Sequence, residues 1–125
     1  MFDSLKSMAG LAGVMKDLPK IKARMEDVKR GLADKRVEAE SGGGAVCVVA
    51  SGAMRIISVR VNPTLLAGLV NPSSTADMGM AEDLIAGAVN AALQKSREMA
   101  EHDLAKAAEE LNLPIPPGGL GGLLG

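Results

Sequence analysis

The chain of 125 residues carries 14 Lys plus Arg against 15 Asp plus Glu, with one His, one Cys and a single aromatic residue, Phe2. That length favours one domain with a modest core, and the ordinary apolar (47%) and charged (23%) shares argue against a disordered polymer. Without Tyr or Trp no aromatic platform for stacked bases can be built, and the lone Cys47 excludes an intrachain disulfide framework or a cysteine-cluster zinc site.

The net charge of −1 conceals an asymmetry: residues 1–36 hold nine Lys or Arg and five acids (+4), whereas residues 37–125 hold five and ten (−5). A polyanionic partner therefore meets the N-terminal third first. The stretch Met8 to Met15 behind Lys6 is short, rich in Gly and followed by Lys16 and Asp17 where a cleavage site would need small residues, so it reads as mature chain. No uncharged apolar run approaches the roughly 18 residues of a membrane span. With a single thiol and no export signal, a reducing cytoplasm is the expected compartment, with no membrane partner.

From Leu11 the apolar positions Leu11, Val14, Leu18, Ile21, Met25, Val28 and Leu32 alternate by three and four, predicting a long amphipathic helix with a heptad seam. Pro19 predicts a kink or a fresh start, Asp17 is placed to cap the second part, and the helix is expected to stop near Ala33 or Asp34. Three β-rich runs follow, Lys35 to Glu40, Ala45 to Ser51 and Met54 to Val61, separated by Gly-bearing connections. They predict an antiparallel meander.

In the second run Val46, Val48 and Ala50 share one face and Cys47 and Val49 the other. In the third, Ile57, Val59 and Val61 oppose Ile56, Ser58 and Arg60. One face covers the helices; the other, left open, is an apolar patch of the kind that marks an interface, with Val46, Cys47, Val49 and Ile56 as its candidate residues in a homo-oligomer. Asn62-Pro63 ends the third strand, Leu65 to Thr75 is expected as a loop, and Met80 to Leu111 as an Ala-rich second helix. A mobile tail rich in Pro, Gly and Leu completes the chain, giving a domain over residues 1–113 and a tail over 114–125.

Catalytic chemistry finds little to work with. His102 lies in an acidic run far from Cys47, and His102 with Glu98 makes only two metal ligands. Cys47 has no basic neighbour in sequence to lower its pKa, and the triple glycine Gly42 to Gly44 leads into a strand without a following Gly-Lys-Ser/Thr, so it reads as a turn and not a phosphate cradle. No enzyme, cofactor, metal or small-molecule substrate is expected.

The basic stripe of the first helix is the informative feature. Lys16, Lys20 and Arg24 stack at i, i+4 and i+8, with Lys22, Lys29 and Arg30 beside them. Such a row can neutralise phosphates and release counterions, giving affinity steep in salt and nearly blind to sequence. A solvated helix face is the competing reading, because Asp17, Glu26 and Asp27 interleave with the bases.

Several words along the chain resemble the YbaB/EbfC family of bacterial nucleoid-associated proteins. They are the opening Met1-Phe2 with Met8, Gly10, Gly13, Met15 and Lys16; Glu40-Ser41-Gly42 with Gly44 and Val46-Cys47-Val48; Gly52-Ala53; and Val59-Arg60-Val61-Asn62-Pro63-Thr64-Leu65-Leu66. Glu82-Asp83-Leu84, Ala88, Asn90-Ala91-Ala92, Leu113-Pro114 and Pro116-Pro117-Gly118 continue the likeness. The resemblance implies an α+β subunit of order α-β-β-β-α, a three-stranded antiparallel meander flanked by two long helices. It also implies a homodimer built around the sheets and nucleoid-associated binding of double-stranded DNA with little sequence preference, without catalysis.

The DNA contacts it implies on the first helix fall on Lys16, Lys20, Lys22, Arg24, Lys29 and Arg30. The second helix departs from the pattern, since Met80 to Leu111 carries Lys95, Arg97 and Lys106 against seven acids. That acidity, with the balanced net charge, sustains an alternative: a protein-interaction module associated with replication or recombination proteins, with weak or no direct DNA binding.

Overall fold

A helix begins one residue before Pro19. In the computed structural model, which describes residues 17–111, α1 (Leu18–Asp34) opens with Pro19 in its first turn, where the missing N–H has no intrahelical partner to lose. Asp17 occupies the N-cap position but its side chain makes no capping bond, contrary to the sequence expectation; its carbonyl accepts from Ile21 N at 2.9 Å. The seam positions Leu11 and Val14, the candidate Lys16 and the tail 114–125 lie outside the described residues, as do the outer ends of the expected domain 1–113.

The meander forms as expected: β1 (Arg36–Ser41), β2 (Val46–Ser51) and β3 (Ile56–Val61) make one antiparallel sheet in the order β1-β2-β3. Val48 pairs with Ala39 on one side and Val59 on the other, and a bulge at Val49/Ala50 brings Ala50 opposite Ile56. Between β1 and β2 the chain turns through Gly42, Gly43 and Gly44, all at positive φ (63°, 65° and 97°), a left-handed path that residues with a Cβ rarely follow.

After β3 the structure departs from the expected loop. Asn62-Pro63 ends the strand and at once begins a short helix, α2 (Pro63–Leu69), because the Asn62 side-chain oxygen accepts from Thr64 N and Leu65 N at 3.0 and 3.1 Å and Pro63 supplies the helical φ. The long helix α3 (Thr75–Glu110) begins five residues before Met80, since Ser74 caps it by accepting from Asp77 N.

Two apolar clusters divide α3. Its first half sets Ala88 and Ala92 against Ala39, Val46, Val48 and Ala50 of the sheet, the small side chains letting helix and sheet approach closely. Its second half sets Ala100, Leu104, Ala107 and Ala108 against Val28 and Leu32 of α1. Arg24 meets Glu110 and Lys35 meets Asp103, so α1 and α3 run antiparallel. The seam is buried at Val28 and Leu32, half-buried at Met25 and Ile21, and opens at Leu18, which is 53% exposed. No helix among the described residues is long and apolar enough to cross a membrane.

The β2–β3 turn is the junction of these parts. Ser96 Oγ on α3 donates to Ser51 O (2.7 Å) and accepts from Met54 N (2.9 Å), which holds Met54 at φ 61°. Gly52 N donates to Lys35 O at 3.0 Å, and a Cβ on Gly52 would stand 2.8 Å from Leu32 O and 2.9 Å from Leu32 Cδ2.

Gly52→Ala is therefore expected to lower stability by about 1–3 kcal/mol through overpacking against backbone. Gly87→Ala, whose Cβ meets nothing within 4 Å on the exposed side of α3, should raise it by about 0.5–1 kcal/mol. Urea denaturation of both variants beside the parent chain checks the opposite signs.

Candidate nucleic-acid interface

At 100° per residue the buried stripe Ile21, Met25, Val28 and Leu32 faces α3, and the five described basic candidates of α1 fall around it. Lys20 and Arg24 lie on one flank, Lys22 and Lys29 on the other, and Arg30 on the back. The stripe of bases expected on one face is thus divided by the contact with α3. A duplex approaching α1 from its solvent side meets both flanks only along the outer rim of the helix.

Carboxylates engage two of the five. Arg24 Nε and Nη2 donate to Glu110 Oε2 at 3.2 and 3.0 Å, and Arg30 Nη2 pairs with Asp27 one turn earlier. Lys20, Lys22 and Lys29 are exposed and make no ion pair with the described residues. Both pairs are at the surface, where such contacts are worth about 0–1 kcal/mol, so they dilute the positive field of α1 without burying it.

A cleft of about 290 Å³ runs between α1 and the end of α3, lined among others by Arg24, Asp27, Lys35, Asp103, Lys106 and Glu110. Three cations face three anions there, and Lys35 Nζ is already bound to Asp103 at 2.5 Å. The cleft is electrostatically balanced and is no anion pocket; the lysines without an ion pair among the described residues stand outside its lining, at Lys20, Lys22 and Lys29. On α3, Lys95 Nζ donates to Glu38 O at 2.7 Å and so serves the sheet. His102 is exposed, while Glu98, its partner in the two-ligand reading, accepts from Gln94 Nε2 at 3.2 Å.

The four interface residues read from the sequence separate in the structure. Val46 is fully buried under α3 and presents nothing to a second copy; Ile56 is half-buried against the same cluster. Cys47 and Val49 lie on the opposite face of the sheet, paired with Glu40 and Glu38 of β1 and with Arg60 and Ser58 of β3, a polar setting. The open apolar surface is elsewhere. Because α3 crosses β1 and β2 and scarcely reaches β3, Ile57, Val59 and Val61 stay 47%, 44% and 41% exposed, with exposed Leu65 and Leu69 following on α2.

Sequence alternation identifies Ile57, Val59 and Val61 as one face; it does not show that α3 stops short of them. Nor does any local pattern reveal the Arg24–Glu110 pair, whose members are 86 residues apart.

Residues 8–111 match the model of the YbaB/EbfC DNA-binding family. A nucleoid-associated protein of Alkaliphilus metalliredigens is 33% identical over 113 residues, covering 90% of this chain and 93% of the relative. One of Syntrophobacter fumaroxidans is 39% identical over 100 residues, covering 80% and 84%. The crystal structure of an uncharacterized protein of Helicobacter pylori superposes with a TM-score of 0.51 at 20% identity, over 65% of this chain and 86% of that one, a likeness of fold.

Cys47 offers a direct probe of the sheet's outer face. Its Sγ donates to Glu38 Oε1 at 3.1 Å, and that bond, with the nearby carboxylate charges, pushes the thiol above the ordinary cysteine range. Less thiolate is then present at pH 8, so Cys47 should alkylate with iodoacetamide more slowly than glutathione, and Glu38→Gln should quicken it. Equal rates in parent and variant, followed by mass spectrometry, would contradict the contact.

Proposed function

The chain belongs to the YbaB/EbfC DNA-binding family, and we propose that it binds double-stranded DNA in the cytoplasm, as a nucleoid-associated homodimer, mainly through phosphate contacts and with little sequence preference. The observation that carries this reading is the family match together with the exposed lysines Lys20, Lys22 and Lys29 on α1, which make no ion pair with the described residues. Lysine presents a mobile point charge suited to phosphate oxygens, without the fixed planar fork of arginine. Arg24 and Arg30 add to the contact when their carboxylates give way, and Lys16 extends the same basic stretch of sequence.

The homodimer is assigned to β3. Ile57, Val59 and Val61 form an exposed apolar face on the edge strand of the described sheet, and a second copy buries both the side chains and that strand edge. This moves the interface from Val46, Cys47, Val49 and Ile56 to the rim of the sheet. Two copies present two α1 helices, so three lysines each supply six phosphate contacts. We assign no catalytic step, cofactor or small-molecule substrate.

Duplex binding followed against salt should give a log–log slope of about −5 from the six lysine contacts, steepening to about −7 with Arg24 of both copies engaged, at roughly −0.9 per phosphate contact. Replacing Lys20, Lys22 and Lys29 together with Glu should abolish retardation of duplex at 50 mM salt while leaving the far-UV spectrum unchanged. Unaltered retardation would defeat the assignment, and absence of binding by the parent chain would favour the protein-interaction module.

In sedimentation at micromolar concentration the parent chain should run as a dimer and Val59→Asp as a folded monomer. A monomeric parent would overturn the pairing through β3.

A further inference from the structure

The pair between Arg24 and Glu110 joins the basic helix of this protein to the last turn of its acidic one. Arg24 offers two donors of its fork, Nε and Nη2, to a single Glu110 oxygen, at 3.2 and 3.0 Å. The same edge of the guanidinium, with the two donors Nε and Nη2, is one that takes a phosphate group. Resting on the DNA-binding reading above, we propose that Glu110 is an internal competitor for the phosphate that Arg24 holds on the duplex, and so sets the affinity of the basic helix from the far end of the chain.

Three observations carry the assignment. The side chains are 41% and 51% exposed, so the pair exchanges with an anion from solution and Glu110 returns to water when released. Glu110 stands on a different helix from Arg24, so its grip is a property of the α1–α3 contact made by Val28, Leu32, Leu104 and Ala107, and not of local helix pairing. Its neighbour Glu109 is exposed and forms no ion pair with the described residues, although it carries the same charge one residue away.

That last contrast separates competition from a general effect of acidity. Removing either carboxylate changes the net charge equally and relieves the same unfavourable charge at a helix C-terminus, but only Glu110 occupies the guanidinium. The competitor raises the threshold for duplex without blocking it. It leaves the number of DNA counterions released unchanged, since Arg24 reaches the phosphate in both cases.

The test uses the full chain and a fluorescein-labelled random-sequence duplex, with anisotropy followed across salt for Glu110→Ala and Glu109→Ala. Glu110→Ala should bind about two- to five-fold tighter than Glu109→Ala, at the same salt slope. In an Arg24→Gln background the two should bind alike. Glu110→Gln, which keeps the side-chain volume, repeats the comparison should the alanine variant fold poorly. Equal affinities of Glu110→Ala and Glu109→Ala with Arg24 present would overturn the competitor and leave the DNA reading standing; absence of duplex binding by every variant and by the parent would overturn both.

Discussion

The close approach of Gly52 to Leu32 is the constraint on which the arrangement of this subunit depends. At that point the β2–β3 turn, the C-terminus of α1 and the middle of α3 meet. Gly52 N bonds to Lys35 O, Leu32 O lies against the glycine Cα, and Ser96 of α3 ties down Ser51 and Met54 on the same turn. Ser96 is fully buried with its hydroxyl both donating and accepting, and no buried side-chain polar atom among the described residues is left without a partner. The junction fixes where α1 leaves the sheet and therefore which of its sides faces α3 and which faces solvent.

From that junction follows the division of labour along α3. The helix spends its first half as a lid on the sheet and its second as the partner of α1, and alanines serve both purposes because a small side chain permits close packing on either neighbour. The cost is electrostatic: the half that braces α1 also carries Glu110 to Arg24 and Asp103 to Lys35 at the end of α1. A helix that supports the basic face also tempers it, which reconciles a DNA-binding fold with a chain whose net charge is slightly negative.

Much of this architecture is legible in the sequence, and the exceptions have physical causes. The three strands follow from β-branched alternation and their glycine connections, and the seam Val28/Leu32 from heptad spacing. The short helix at Pro63 is hidden because Asn62-Pro63 reads equally as a strand terminator and as a cap with its first helical residue; only the bonds from Thr64 N and Leu65 N decide it. The basic residues of α1 are plain in the sequence, but their separation onto two flanks and the engagement of Arg24 depend on where α3 lies. The same holds for the interface: periodicity puts Val46 and Val59 in strands, whereas burial of the first and exposure of the second depend on the breadth of sheet that one helix can cover.

The two rims of the sheet are unlike. β1 is written Arg-Val-Glu-Ala-Glu-Ser, with Lys95 laid across the Glu38 carbonyl, whereas β3 is written Ile-Ile-Ser-Val-Arg-Val, with Ile57, Val59 and Val61 exposed. Charge and a docked lysine stopper one rim; the other stays receptive. On the pairing proposed through β3, a second copy takes up the receptive rim on both sides of a two-fold axis, and the pair would then present only stoppered rims. Under that proposal growth would close at the pair and not continue into a fibre.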